Sequence, residues 1–350
     1  MAAVFDASIA RQPLLSQVSV RTVAPRRAVN TDSLASSAHS PPRPLHLSIP
    51  HAIKSAFSPF GIAIDSRDGV LFVTDHRNHA VFAFRLDSEL VGAGDFLWQH
   101  GSFGRSGSSS DLLFGPKGCA LNVDCTTLYI ADQYNNRCVL LDAARGCFLS
   151  AFGVHGTAPG CFIRPSALYV SAQHLWVTDC GNQRVQKFDL PRSDGCLCFA
   201  QERSLEFANQ LGQTGQTGDG PRFFNRPRGL AVLEGRVFVA DCDNNRVSIY
   251  LSESGQLVHS ICNAERQSRL QEPKSLCVDQ EHRIVYVCDY AAARLVAYDA
   301  DTYAYIGSFG TKGDLKCPAG VCADSSCDRV FVTDSETKRI LVWPAAQRAD

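Results

Sequence analysis

The residues whose types and spacing could do chemistry are six aspartates that each close a short apolar run. Five of them are followed five residues later by an arginine, and in the first copy that place is held by Ala80. A carboxylate and a guanidinium on either side of a short turn can form an ion pair, whereas a carboxylate beside histidines can bind a metal ion. The aspartates are Asp75, Asp132, Asp179, Asp241, Asp289 and Asp334, and the arginines are Arg137, Arg184, Arg246, Arg294 and Arg339.

The metal-binding interpretation depends on histidines near these carboxylates. Asp75, His76 and His79 form the one local cluster that could hold a metal ion. A metal-dependent hydrolase or lyase would need three or four ligands that converge from different strands, and the segments that follow the repeated prolines contain no histidine. We therefore expect no catalytic residues and no cofactor, with these three residues as the only candidate metal ligands.

The elements that must position these side chains follow from a repeat. A proline lies 14 or 16 residues before each aspartate, and successive aspartates are 57, 47, 62, 48 and 45 residues apart. Each period contains three or four short strand patterns, and in the first four copies asparagines occupy the turn that follows the aspartate. Four strands in a period of this length predict a propeller blade, so the chain is predicted to be all-β, a six-bladed β-propeller. Exposed pairs between the aspartate and the arginine would contribute only about 0 to 1 kcal/mol each and would define the fold rather than catalyse.

The domain boundaries follow from the ends of the repeat. Residues 1–44 are rich in arginine, serine and proline, which predicts a disordered tail or, alternatively, an organellar transit segment. Residues 45–343 are predicted to form the propeller and residues 344–350 a short C-terminal tail. The last repeat lacks an outer strand, and Leu45–Ile49 alternates as a strand should. We therefore expect this N-terminal strand to complete the last blade and close the ring.

Composition limits the compartment and the class of partner. The net charge of −1 argues against nucleic-acid binding by the chain as a whole, and no apolar run is long enough for a membrane span. The 15 cysteines lack metal-site spacing and are expected to be reduced thiols in the cytoplasm, with an organelle as the alternative. Cys180 and Cys242, directly after their aspartates, are expected to be accessible. The glycine-rich segment Gly212–Gly220 has no lysine to cradle a phosphate, so it is predicted to be a surface loop.

The repeated residues resemble those of a known family. Blade 4 reads Pro227-Arg228-Gly229-Leu230-Ala231-Val232 and continues from Asp241 to Val247 as Asp-Cys-Asp-Asn-Asn-Arg-Val, a pattern that resembles the NHL repeat. The resemblance implies a six-bladed β-propeller that serves as a platform for proteins or RNA. Some relatives are ubiquitin ligases with a RING domain, and a few similar propellers are enzymes. No RING precedes residue 45, so any ligase chemistry would have to come from other chains.

The predicted function is therefore a non-enzymatic binding platform for a protein partner. It could be a scaffold or the substrate-recognition part of a ubiquitin ligase assembled with other chains. RNA binding is the alternative, a metal-dependent hydrolase or lyase the second alternative, and neither a membrane nor a small-molecule substrate is expected. A propeller brings equivalent repeat positions together around one axis, so cations beside the blade prolines should form an exposed binding rim. These are Lys117, Arg164, Arg226, Arg228 and Lys274.

Overall fold

The computed structural model describes residues 45–46, 57–86, 95–190, 205–262, 269–310 and 313–347. Within these residues the chain forms 24 strands in six antiparallel sheets of four strands each. Each sheet is one blade, which confirms the predicted six-bladed, all-β propeller. No helix in the described part of the chain is long and apolar enough to cross a membrane.

Within a blade the strands follow one another from the innermost to the outermost in chain order, except that the last blade takes its outer strand from the N-terminal side. Blade 1 contains β2 (Pro59–Asp65), β3 (Val70–Asp75), β4 (Ala80–Arg85) and β5 (Asp95–His100), and blade 2 contains β6 (Pro116–Leu121), β7 (Thr127–Asp132), β8 (Arg137–Asp142) and β9 (Phe148–Phe152). Blade 3 contains β10 (Pro165–Val170), β11 (His174–Asp179), β12 (Arg184–Asp189) and β13 (Glu206–Leu211), and blade 4 contains β14 (Pro227–Leu233), β15 (Arg236–Asp241), β16 (Arg246–Leu251) and β17 (Leu257–Ile261). Blade 5 contains β18 (Pro273–Asp279), β19 (Ile284–Asp289), β20 (Arg294–Asp299) and β21 (Tyr305–Phe309), and blade 6 contains β22 (Pro318–Asp324), β23 (Arg329–Asp334), β24 (Arg339–Pro344) and β1 (Leu45–His46).

The ring is closed by the N-terminal strand. Strand β1 pairs antiparallel with β24, and Leu45 lies opposite Val342. The predicted closure is therefore confirmed for this strand, which protects the open edge of the last blade. The rest of that predicted strand, from residue 47 to residue 49, and the predicted tail of residues 1–44 lie outside the described residues.

One face of the propeller carries all the repeated prolines. Each proline begins an innermost strand and pairs with the aspartate that ends the second strand, as Pro165 does with Asp179. Because neighbouring strands alternate in direction, the aspartates and the turns after them also lie on this face, which we call the proline face.

Adjacent blades approach most closely at the innermost strands near the proline face. A Cβ atom added to Gly61 would collide with the carbonyl oxygen of Lys117 in the next blade, so this position requires glycine. Threonine hydroxyls in the second strands donate hydrogen bonds across the same contact, and Thr178 Oγ1 lies 2.7 Å from the Arg228 carbonyl oxygen. Thr333 makes the equivalent bond to Phe60 at 2.6 Å and so joins the last blade to the first.

In blades 2 to 5 the aspartate of the hairpin is buried and its arginine is at most 16% exposed, which corrects the sequence-based expectation that these pairs are exposed. Asp179 and Arg184 have side chains that are 0% and 1% exposed, with Nε and Oδ2 2.9 Å apart. The Asp179 carboxylate also accepts a hydrogen bond from the backbone of Ile163, in the loop that enters the blade. The carboxylate thus ties the hairpin to the incoming loop, and breaking a buried pair of this kind costs about 3 to 5 kcal/mol. Equivalent pairs join Asp132 to Arg137, Asp241 to Arg246 and Asp289 to Arg294.

The last and first blades depart from this pattern. The Asp334 carboxylate accepts backbone hydrogen bonds from Lys316 and Thr337, while Arg339 at the start of β24 is exposed. In blade 1, Asp75 accepts from the backbone of Ser58. A buried carboxylate at this place is therefore held by backbone donors even where its arginine is absent or exposed.

The expectation that Cys180 and Cys242 are accessible was wrong. They are 6% and 1% exposed, respectively, and each begins a single 3-10 turn. Burial raises the pKa of the Cys242 thiol to about 11. The sequence also predicts that Cys119, Cys277 and Cys322 pack between blades; Cys119 and Cys322 are buried, whereas Cys277 is of intermediate exposure.

Candidate binding site on the proline face

The residue after each blade proline lies at an irregularity in the strand pairing. In blade 4 the register shifts between Pro227 and Leu230, and in blade 2 it shifts between Pro116 and Cys119. A bulge of this kind redirects the side chain that it carries. Lys117 illustrates the result, because its ammonium lies 3.5 Å from the ring centroid of Phe60 in the preceding blade.

The arginines before two of the prolines are held by contacts between blades. Arg164 and Arg226 adopt left-handed backbone conformations, with φ of 56° and 54°. The backbone N–H of Arg164 donates to Asn136 Oδ1 at 3.0 Å, and that of Arg226 donates to Gln183 Oε1 at 2.7 Å. Each acceptor belongs to the hairpin turn of the preceding blade. The two arginines therefore start from fixed backbone positions although their side chains are exposed.

Four of the five predicted rim cations line one cavity of about 360 Å³ over blades 2 to 4. We call this cavity the basic mouth. Its lining contains no carboxylate. Around the four cations lie polar, aromatic and thiol groups, and the full lining is Lys117, Gln133, Tyr134, Arg164, Cys180, Gly181, Gln183, Arg226 and Arg228.

Lys117 was expected to be exposed, and this expectation was wrong because the residue is only 7% exposed. In the part of the chain that the structure describes, its ammonium has no carboxylate partner and packs against the Phe60 ring. Burial, followed by the charges of Arg228 and Lys274, holds the pKa of Lys117 well below its ordinary value. A buried ammonium without a carboxylate partner lowers the stability of the folded protein.

The other cations of the rim differ in how they are compensated. Arg226 Nη1 lies 3.2 Å from Asp243 Oδ2, an exposed ion pair. Arg228 is half-buried, and its Nε has no hydrogen-bond partner among the described residues. Lys274 lies outside the lining of the basic mouth, with its ammonium 2.8 Å from the ring centroid of Tyr290. Burial and the charge of Arg228 lower the pKa of Lys274 to about 8.

Sequence reasoning missed a group of aromatic rings beside the basic mouth. Tyr134 is 42% exposed, and its ring centroid lies 5.0 Å from that of Phe114 and 5.5 Å from that of His76. His76 in turn lies 5.7 Å from Phe60. We call these four residues the aromatic shelf. Its sequence signal was the aromatic residues in the turns after two of the aspartates and beside two of the prolines, and the proximity of these residues depends on two blades being adjacent.

The three candidate metal ligands are engaged in other contacts. The Asp75 carboxylate accepts hydrogen bonds from Ser58 and Asn78, and His79 Nδ1 accepts from the backbone N–H of Gly115. Burial lowers the pKa of His76 to about 4, and its ring packs in the aromatic shelf. No group of three or more His, Cys, Asp or Glu residues within the described ranges could hold a metal ion.

Two further cavities are less suited to an anion. One of about 410 Å³ lies on the opposite face between blades 3 and 4 and includes Glu234 and Glu253, which pair with Arg283 and Lys187. The other, of about 470 Å³, lies between the outer strands of the same blades and includes Gly212 from the predicted surface loop. Neither combines several cations with a lining that is free of acids, and the basic mouth is therefore the candidate site.

Six four-stranded blades around one axis define the class as a six-bladed β-propeller. Residues 162–188, 224–250 and 315–343 match the NHL repeat family. These segments fall in blades 3, 4 and 6, and the same strand frame recurs in all six blades. The chain therefore carries NHL repeats, and the resemblance inferred from its sequence is confirmed.

Similar proteins support the fold at low identity. NHL repeat-containing protein 2 from Bos taurus is 23% identical over an alignment of 340 residues. The match covers 82% of this chain and 40% of the relative, so this chain spans less than half of the length of that protein. A gluconolactonase from Xanthomonas campestris is 15% identical with a TM-score of 0.56, covering 87% of this chain and 95% of that one. A protein of unknown function from Desulfotomaculum acetoxidans is 12% identical with a TM-score of 0.53, covering 84% and 85%. Both structural likenesses show the fold alone.

Proposed function

We propose that this protein is a non-enzymatic binding platform that holds an anionic segment of a protein partner in the basic mouth. The observation that carries the proposal is a cavity of about 360 Å³ lined by four cations and no carboxylate. Like charges held together, one of them buried, raise the free energy of the unliganded protein. An anionic ligand would remove that repulsion, and arginines are suited to it because they bind carboxylate or phosphate in a bidentate manner.

A protein partner fits the charge distribution better than RNA does. The cations are concentrated in one cavity while the whole chain has a net charge of −1, so the long basic track of a typical nucleic-acid surface is not expected. RNA binding remains the second candidate, because the aromatic shelf with exposed Tyr134 offers rings on which bases could stack. Substrate recognition within a ubiquitin ligase built from several chains would use the same face.

Charge reversal at the two exposed arginines tests the proposal. The double variant Arg164→Glu, Arg226→Glu should fold normally, because both side chains are exposed, and should lose salt-sensitive partner capture. Arg145→Glu is the matched control, because Arg145 is an exposed arginine in the β8–β9 hairpin on the opposite face. The wild type, the double variant and the control are immobilised, and the proteins that each one captures are identified by mass spectrometry. RNA crosslinking to the same three forms is measured in parallel. Equal capture by all three forms would exclude the basic mouth as the site of partner binding.

The proposed compartment is the cytoplasm, with an organelle as the alternative. Thirteen cysteines among the described residues are free thiols, which is typical of a reducing compartment. The remaining alternative, a metal-dependent hydrolase or lyase, would require a stoichiometric metal ion. Metal analysis of the purified protein distinguishes it from a binding platform.

A further inference from the structure

The basic mouth has an excess of positive charge that a single carboxylate would not balance. Within the described residues, Lys117, Arg164 and Arg228 have no carboxylate partner, and only Arg226 is paired. One bound carboxylate would leave two of these three charges uncompensated. A group with two negative charges would leave only one positive charge uncompensated. If it is a phosphate, it would also offer more oxygen atoms to the donors.

We propose that the basic mouth recognises a phosphomonoester, a phosphorylated side chain on a flexible segment of the protein partner. The inference rests on the proposed function and specifies its ligand. A phosphate monoester carries about 1.5 to 2 negative charges near neutral pH and has three strong acceptor oxygens. Its tetrahedral oxygens need donors from several directions, and here the donors come from three consecutive blades.

Each donor in the basic mouth has a distinct role. The guanidinium groups of Arg164 and Arg228 can bind two phosphate oxygens at once, and Lys117 adds a point charge on the side of blade 2. Gln183 also lines the cavity, and its Oε1 is occupied by the backbone N–H of Arg226. That contact leaves the amide N–H groups of Gln183 as neutral donors.

The arrangement favours a phosphomonoester over the phosphodiesters of RNA. Each diester carries one charge, and a strand of them is matched by cations spread along a track. Here four cations share one cavity of about 360 Å³. The aromatic shelf begins at Tyr134 on the same lining, so an aromatic group that carries the phosphate, or lies next to it, can pack there.

Binding of a dianion should also be linked to protonation. An adjacent dianion stabilises the ammonium form of Lys117, whereas burial and neighbouring cations destabilise it in the free protein. At a pH between the pKa of Lys117 in the free protein and its ordinary value of 10.5, binding should therefore be accompanied by proton uptake. Titration calorimetry in buffers of different ionisation enthalpy measures that uptake directly, and it should disappear in Lys117→Met.

The first experiment compares three small probes that share a phenyl ring. Phenyl phosphate is a monoester dianion, methyl phenyl phosphate is a diester monoanion, and benzoate is a carboxylate. We expect phenyl phosphate to bind at least about tenfold more tightly than either monoanion, because its second negative charge strengthens the hydrogen bonds that it accepts from the cations. Arg228→Gln and Lys117→Met should each remove this preference, and Arg145→Glu should retain it. Equal affinities for the three probes would overturn the inference.

The second experiment separates this inference from the proposed function. Degenerate peptides with a central phosphoserine are compared with the same peptides carrying serine or glutamate, on the wild type and on Arg164→Glu, Arg226→Glu. Preferential binding of phosphoserine peptides to the wild type alone supports both proposals. Equal binding of glutamate and phosphoserine peptides leaves the acidic docking function intact and refutes the phosphate preference. If neither peptide binds and only RNA crosslinks to the mouth, both proposals are wrong.

Discussion

Replacing Lys117 with methionine should make the protein more stable while it removes the preference for a dianion. Burying an ammonium costs several kcal/mol in real proteins, and Lys117 is 7% exposed without a carboxylate partner among the described residues. Its contact with the Phe60 ring returns about 2 kcal/mol. Methionine keeps a flexible apolar side chain against that ring and carries no charge. We therefore expect the free energy of unfolding to rise by about 1 to 3 kcal/mol.

The assay is urea unfolding at neutral pH and again at about pH 10, with the sign of the pH effect as a second readout. The pKa of Lys117 is lowered in the folded state, so the unfolded state binds more protons between that pKa and the ordinary value of 10.5. Wild-type stability should therefore rise with pH in this window, whereas the variant lacks this contribution. The advantage of Lys117→Met should be largest at neutral pH and should shrink toward pH 10.5.

Lys187→Met provides the matched control. Lys187 is also buried, at 5% exposed, but its Nζ lies 3.1 Å from Glu253 Oε1 and its charge is compensated. This variant should gain no stability. A Lys117→Met protein that is less stable than the wild type at neutral pH, or whose difference from it does not change with pH, would refute the reasoning about the unpaired ammonium.

Three other predictions concern the frame that holds the mouth. Arg184→Met should lower the free energy of unfolding by about 3 to 5 kcal/mol, because it leaves the buried Asp179 carboxylate without its arginine. Arg339→Met, at an exposed site, should change that free energy by less than about 0.5 kcal/mol. Equal losses of stability for the two variants in urea unfolding would contradict the difference in burial. Gly61→Ala should cost more than about 1 kcal/mol, because the new Cβ collides with a backbone oxygen of blade 2. Gly307→Ala should leave stability nearly unchanged, because no heavy atom lies within 4 Å of the Cβ that it would add. Thermal unfolding compares the two variants. The exposed cysteines are Cys147, Cys262 and Cys327. Thiol labelling of the native protein, followed by mass spectrometry, should be fast at these three residues and slow at Cys180 and Cys242. Faster labelling of Cys180 and Cys242 would contradict the assigned burial.

Much of the fold was predictable because it is repeated and local. The apolar runs that end in aspartate, the asparagine turns and the prolines each report on a few neighbouring residues, and together they give strand order and blade number. The closing strand was predictable because Leu45 begins an alternating segment just where the last blade lacks its outer strand.

The chemistry of the site was predictable only in part. Repeat position alone brought Lys117, Arg164, Arg226 and Arg228 into one set, and the structure places these four in one cavity. The same reasoning included Lys274, which lies outside that lining against Tyr290. Equivalence in a repeat gives equivalent backbone positions, whereas side-chain contacts depend on the different residues of each neighbouring blade.

The sequence by itself therefore determined the number of blades, the closing strand and the types of side chain that face the mouth. Only the tertiary structure decided their environment, namely the burial of Lys117 and of the Asp179–Arg184 pair and the aromatic shelf around Tyr134. The physical reason is distance along the chain. Burial at Lys117 comes from blade 1, where Phe60 covers its ammonium and Thr74, 43 residues earlier, binds its carbonyl oxygen. The desolvation of Lys117, and therefore its pKa, depends on these neighbours from another blade. No local sequence pattern specifies which residues those neighbours are.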